Sequence, residues 1–316
     1  MSIKPVLLYY SVMSLALAEV LWKGTGDTSL DVLRSEHRHH GLIFSIDTNL
    51  SKYSLEEALT KISAKPLIKD RKWVGTFEVW HKNARQLPMV GRFESSKDHR
   101  IKSYGYSAIL AETDERMPLI EKSGLTFINS IKYIPEMQNL LRQYNVETGA
   151  CRAWLSRHYE SDLDRRSGTL NHLNHVNIQP EKKEYVAKII ERVKCSASAV
   201  NAIDLIDLGD SAQITENVKV RNTISYWVDY PLGINRTAKE LYLLPETPSV
   251  NEFGMFYASL FMLGNLCRYY PDIWMKILED DHPLATVSAS LMELAFKRVP
   301  VLALSELDEN CIVEED

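Results

Sequence analysis

Residues 251–274, NEFGMFYASLFMLGNLCRYYPDIW, decide the reading of this chain. Phe256, Leu260, Leu263 and Cys267 recur at helical spacing, and Met255, Ser259, Met262 and Leu266 make a second stripe beside them. A helix apolar along two stripes is covered on more than one side, so this segment predicts a buried central helix. It stops at Arg268, where a cation suits the negative end of the helix dipole. Pro271 is a good first-turn residue for a further short helix carrying Trp274. Arg268, Tyr269 and Trp274 can form a structural corner in which the guanidinium bonds orphan carbonyls. They can equally present an anion-binding arginine beside a stacking aromatic, suited to a nucleotide or RNA base. The sequence leaves both readings open.

On either side of this helix the same periodicity returns. Residues 282–296 and 301–307 predict closing helices separated at Pro300. Residues 5–23 predict an opening helix, with Pro5 in its first turn and Gly24 and Gly26 past its end. The opening run is apolar enough to imitate a secretory signal. Between Lys4 and Glu19, however, it is too short for a membrane span, and Tyr9 and Tyr10 interrupt it, so a buried amphipathic helix is expected. Residues 29–40 predict a short helix stopping at Gly41. Ser54 with Glu57 forms a capping box.

Residues 72–80, 89–94 and 103–110 are rich in aromatic and β-branched residues and read as strands of a small antiparallel sheet. Helices are expected over 135–159 and 180–194, one or two strands over 214–230, and a linker over 241–250. The fold class is therefore α+β, mainly α-helical: a helical core from N- and C-terminal helices with a small antiparallel β insertion. A single domain over 1–316 is expected, with an N-terminal helical element at 1–66, a β-rich insertion at 67–130 and a mainly helical part at 131–316.

Composition bounds the partners. Apolar content of 45%, charged content of 25% and a net charge of -5 describe an ordinary globular chain without a global basic excess. The widely separated Cys151, Cys195, Cys267 and Cys311 show no zinc-ligand spacing and read as reduced thiols of a cytoplasmic protein. There is no glycine-rich phosphate loop and no nucleophile elbow. Asp204, Asp207 and Asp210 recur every three residues and read as a polar helix face. No metal site and no cofactor are expected.

Two clusters could carry chemistry. In Arg34-Ser35-Glu36-His37-Arg38-His39-His40-Gly41, Arg34 and His39 have Arg-x4-His spacing. A histidine can move a proton near neutral pH, and an arginine can offset charge on a scissile phosphate. The competing reading is a His40 bonded at a helix end next to a solvated turn. The second cluster pairs Arg165 or Arg166 with His172. Arg157 lies nearby, so Arg157, Arg165, Arg166 and Arg268 are the candidate nucleic-acid contacts. The competing reading there is a polar connection between helices.

Both ends of the chain resemble the YaaC-like proteins. The landmarks are Pro5-Val6-Leu7-Leu8-Tyr9-Tyr10 and His40-Gly41-Leu42 at one end. At the other they are the apolar helix, Arg268-Tyr269, Pro271, Trp274 and Lys297-Arg298-Val299-Pro300. The resemblance implies structural roles for Tyr9, Tyr10, His40, Gly41, Tyr269 and Trp274, and opening and closing helices that share one body. It also implies more chain before the Tyr-Tyr helix than is present here. The face left bare would then be covered by a partner protein or a homo-oligomer. The Tyr-Tyr helix followed by His-Gly is similar to the HEPN superfamily as well. That likeness implies an RNA or protein partner, a possible place in stress or antiviral defence and, as an alternative, a metal-independent ribonuclease using Arg34 with His39 or Arg166 with His172. A purely structural subunit is the third expectation. No membrane partner is expected.

Overall fold

The structure, a computed structural model, describes residues 3–23, 29–36, 39–84, 90–94, 101–105, 120, 124–149, 151–159, 169–179, 185, 203–207, 212–221, 233–237, 240–243 and 249–307. These form an antiparallel α+β protein with more helix than strand. The chain divides into two compact units.

The first unit comprises Met1–Gln86, Ala111–Thr148 and Pro248–Asp308. Its centre is helix α7 (Glu252–Tyr269), which begins at Asn251, whose side chain accepts the Gly254 N–H at 2.9 Å. Residues 252–264 of this helix are all buried, as the double stripe requires. Each fully buried leucine or phenylalanine on it contributes about 1.5–3 kcal/mol. Helix α1 (Lys4–Lys23) packs on α7, with Tyr9 against Tyr257 and Phe261, and buries Val12, Ala16 and Val20 at three- and four-residue spacing.

Helix α9 (Pro283–Leu307) also packs on α1 and α7. Lys4 pairs with Glu293 and Lys23 with Glu306, so α1 and α9 run side by side in the same direction. The expected tie between the two ends of the chain is therefore present. The break expected at Pro300 is absent: α9 runs through it. Buried Val299, Val301 and Ala303 hold the turn around it against the rest of the unit, offsetting the hydrogen bond a mid-helix proline forgoes.

Helix α2 (Leu30–Glu36) starts at Ser29, whose hydroxyl accepts the Val32 N–H at 3.2 Å. Helix α3 (Leu55–Thr60) carries the predicted capping box, with Glu57 N–H donating to Ser54 Oγ and Ser54 N–H donating to Glu57 Oε2. Strands β1 (Leu42–Ile46), β2 (Ile62–Pro66) and β7 (Leu125–Thr126) make a three-stranded sheet in that order, with Ile46 opposite Ile62 and Ala64 opposite Leu125. Helices α5 (Phe127–Ile131), α6 (Gln138–Gln143) and α8 (Pro271–Glu279) complete the unit.

One prediction fails here. Residues 72–80 are not one strand. After the two-residue hairpin of β3 (Ile68–Lys69) and β4 (Lys72–Trp73), the chain turns at Gly75, with φ +114°, into helix α4 (Thr76–Asn83). Phe77 and Trp80 lie one turn apart and pack on Phe253 and Tyr257 of α7. Burial on α7 overrides the aromatic strand preference, which is a statement about fitting a half-buried sheet surface.

The second unit comprises Leu87–Leu110, Gly149–Thr247 and Glu309–Asp316. It contains the hairpin β5 (Val90–Glu94) and β6 (Ile101–Gly105), close to the strands expected at 89–94 and 103–110. It also contains a six-stranded antiparallel sheet of β8 (Cys151–Tyr159), β9 (Thr169–Gln179), β10 (Ile203–Asp207), β11 (Ala212–Arg221), β12 (Gly233–Thr237) and β13 (Glu240–Leu243). The strand order is β10-β11-β9-β8-β13-β12.

This sheet corrects several expectations. The helix expected over 135–159 ends with α6, past which Asn145 takes φ +57°, and Cys151–Tyr159 is a strand. The stretch around His172 is a strand and not a connection. Asp204 and Asp207 lie on β10 and not on a helix, and the expected linker begins with strand β13. The register explains the choice: Ala153, Leu155, Val176, Ile178, Ala212 and Ile214 fall opposite one another across β8, β9 and β11, a period of two that outweighs local helix preference. Of the helix expected at 180–194, only Tyr185, which is helical, lies within the described residues.

Candidate functional site

The site is built on a crossing of two backbones. Gly75 sits so close to Gly41 that a Cβ on Gly75 would lie 2.4 Å from both Gly41 Cα and N. Gly41 itself takes φ +86°, a conformation glycine adopts without steric cost. The crossing is tied by hydrogen bonds. Thr76 N–H donates to the His39 carbonyl at 2.9 Å, Phe77 N–H to the His40 carbonyl at 3.1 Å, and Trp73 Nε1–H to the Gly41 carbonyl at 2.8 Å. The first turn of α4 thus fixes residues 39–41, and with them the position of His40.

His40 lies against α1 and α7. Its Nδ1 is 2.8 Å from the Tyr9 hydroxyl, and its ring meets those of Tyr9, Tyr10 and Phe261 with centroids 5.3–6.1 Å apart. Burial, and then the phenol of Tyr257, push the Tyr9 hydroxyl far above its ordinary pKa, so it stays protonated and is the donor. Tyr257 is itself raised by burial, and among the described residues its hydroxyl has no hydrogen-bond partner of normal geometry. Burial first, and then the charges of Arg268 and His39, hold His40 below its ordinary value, which keeps it neutral. With Nδ1 accepting from Tyr9, neutral His40 carries its proton on Nε2.

The other wall is the end of α7. Arg268 Nη1 donates to the Tyr10 hydroxyl at 3.0 Å, and its Cζ stands 5.1 Å from the centre of the Tyr269 ring. Gly264 lies one turn before Arg268 and faces the Tyr9 Cβ at ordinary contact distance. Tyr9, Tyr10, His40, Gly264, Arg268 and Tyr269 line an open, shallow cleft whose enclosed volume is about 20 Å³, and its lining residues carry no carboxylate. That space holds little more than one water and lies far below the roughly 300–1,000 Å³ of pockets that enclose a drug-sized ligand, so a ligand would lie against the cleft from solvent. Its chemistry is a fixed cation, neutral hydrogen-bonding groups and exposed ring faces.

The remaining predicted residues are dispersed. Trp274 is buried on α8, a packing residue of the corner. His39 Nε2 lies 2.6 Å from Lys69 Nζ. Arg34 stands on α2. Arg165 and Arg166 lie outside the described residues. Arg157 and His172 lie on adjacent strands, with Arg157 opposite Asn174 and His172 opposite Tyr159. Tyr9, Tyr10 and His40, read from sequence as structural landmarks, join Arg268 and Tyr269 in one cleft. Gly264 was missed. Its signal was its place four residues before Arg268 on the same helix face.

The fold and cleft define a helical α+β protein with a small cationic, aromatic site where its opening and closing helices meet. Residues 92–307 match the model of the YaaC-like protein family, and the chain belongs to that family. The match contains Arg268, Tyr269, Trp274 and Pro300, and it begins after Tyr9, Tyr10 and His40. No curated protein and no solved structure matches the chain.

Proposed function

We propose that this YaaC-like protein binds single-stranded RNA, with the cleft of Tyr10, His40, Arg268 and Tyr269 taking one phosphate and the base beside it. The observation that supports this most directly is the exposed Arg268 guanidinium, oriented by Tyr10 and flanked by the exposed ring of Tyr269. A phosphate matches the planar fork of the guanidinium, and a base matches the ring. On the second unit, Arg157, Arg165 and Arg166 are the candidates for separate, sequence-independent backbone contacts. The test is fluorescence anisotropy with a labelled single-stranded RNA. Tyr269→Ala should weaken binding by about 1–3 kcal/mol, the usual cost of one stacked base. Arg268→Ala should weaken it too and reduce the steepness of the salt dependence by roughly 0.7, the share of one phosphate contact on a single strand. Both variants binding as tightly as the parent would refute the assignment and favour a protein partner.

A second reading, a metal-independent ribonuclease, is favoured by the placement of His40 and Arg268 in the same cleft. In the tautomer that Tyr9 fixes, His40 presents Nε2–H, so it would donate to the scissile phosphate beside the Arg268 charge while solvent takes the proton of the 2′-hydroxyl. The HEPN-like resemblance, and with it a role in defence, belongs to this reading. Cleavage in EDTA that is abolished by His40→Ala would support it. Loss on His39→Ala or His172→Ala instead would return the chemistry to the pairs Arg34 with His39 or Arg166 with His172.

A further inference from the structure

The solvent face of α1 is apolar at both ends and, Tyr10 apart, small in the middle. Ile3 is 65% exposed, Leu7 59%, Leu21 37% and Trp22 70%. Between them the exposed positions are Tyr10, Ser11, Ser14 and Ala18. Ile3, Leu7, Tyr10, Ser14, Ala18 and Leu21 follow alternating three- and four-residue steps closely enough to form one seam along the helix. The two serines present no unmet donor: Ser11 Oγ–H donates to the Leu7 carbonyl at 3.0 Å and Ser14 Oγ–H to the Tyr10 carbonyl at 2.8 Å. Covering them therefore costs little hydrogen bonding, and their size lets another helix come close.

We propose that this face pairs with α1 of a second copy of the chain, antiparallel, about a two-fold axis between Ser11 and Ser14. That register sets Ile3 against Trp22, Leu7 against Ala18, and Ser11 against Ser14. Each large residue meets a different position on the partner, and the small residues meet at the axis. A parallel pairing would instead set Trp22 on Trp22 and Leu7 on Leu7. Helix α9, held beside α1 by the pairs Lys4–Glu293 and Lys23–Glu306, adds Phe296 at 67% and Leu304 at 53% exposure.

With side-chain surfaces of about 150–250 Å² for the larger residues, these six exposed apolar residues offer on the order of 600 Å² per copy. Two copies then cover about 1,200 Å², the lower edge of the range for specific interfaces. That area fits a reversible dimer and falls short of an obligate one.

The test is sedimentation of the full chain from roughly 1 to 100 µM, the span in which such an interface dissociates. Concentration-dependent dimer is expected. Leu7→Glu with Leu21→Glu should stay monomeric throughout with an unchanged thermal melt, because both side chains are already in water. Trp22→Lys is the independent second variant. Orientation is read by oxidative cross-linking against the wild-type background. A mixture of Leu7→Cys and Ala18→Cys proteins should cross-link faster than Leu7→Cys with itself. A monomeric parent at the highest concentration would overturn the proposal. So would preferred Leu7→Cys self-linking, or a monomer that pellets with lipid vesicles through the same face.

Discussion

Replacing Gly75 by alanine tests the backbone crossing on which the cleft rests. The new Cβ would stand 2.4 Å from Gly41 Cα and N and 2.8 Å from the His39 carbonyl oxygen. All three are backbone atoms and cannot swing aside. Gly75 also holds φ +114°, where a side chain adds strain of order 1–3 kcal/mol. Relief requires residues 39–41 to separate from the start of α4. Up to three hydrogen bonds are then weakened: Thr76 N–H to His39, Phe77 N–H to His40, and the Trp73 indole to Gly41. At about 1 kcal/mol net for each, the expected total is about 3–5 kcal/mol.

The assay is urea unfolding followed by circular dichroism, with Gly264→Ala as the control. Gly264 is helical, and its nearest neighbours stand 3.5–3.7 Å from an added Cβ. Alanine there should be neutral or should stabilise by up to about 1 kcal/mol, because glycine is the weaker helix former. A Gly75→Ala loss below about 1 kcal/mol, or two variants with equal losses, would refute the account of the crossing.

Two further predictions concern a buried and a half-buried ionisable group. Glu19 is nearly inaccessible, accepts the Trp80 indole N–H at 2.9 Å and pairs with Lys23 at 2.8 Å. Burial, followed by the charge of Glu306, raises its pKa above the unfolded value near 4.5, so the native state binds the extra proton and stability falls as pH rises past that value. Glu19→Gln should flatten this dependence in urea titrations while keeping an acceptor for Trp80. Glu19→Ala should cost about 1–3 kcal/mol, because the buried Trp80 indole N–H loses its acceptor while Lys23 keeps Glu306. A pH profile identical for wild type and Glu19→Gln would exclude Glu19 as its source.

His40 has the opposite sign. Its native pKa lies below the unfolded value near 6.5, so its contribution is present above that pH and is lost as pH falls toward the native pKa. Arg268→Ala removes the second cause of the depression and should move the His40 ring resonance to titrate at higher pH in NMR. An unmoved titration would separate Arg268 from His40.

The double stripe of α7 and the Ser54–Glu57 box were legible in the sequence because each is a local pattern with one structural solution. Residues 72–80 and 151–159 were not, for opposite reasons. Phe77 and Trp80 resemble a strand in isolation, and only the faces of Phe253 and Tyr257, more than 170 positions later, make a helix the better burial. Arg152, Ser156 and His158 dilute β8 until its partners are known, and its alternation becomes decisive only opposite Val176 and Ile178. The cleft shows the same limit. Tyr9, Tyr10, His40, Arg268 and Tyr269 were each conspicuous, yet 258 positions separate the Tyr10 hydroxyl from the Arg268 guanidinium that donates to it. What joins them is a chain of local necessities: Gly75 admits Gly41, the start of α4 fixes His40, and α1 must bury Tyr9 to cover α7. The packing that closes the core therefore also assembles the cation, the neutral imidazole and the ring faces. For that reason Gly75, which lies outside the cleft's lining, should perturb ligand binding there together with stability.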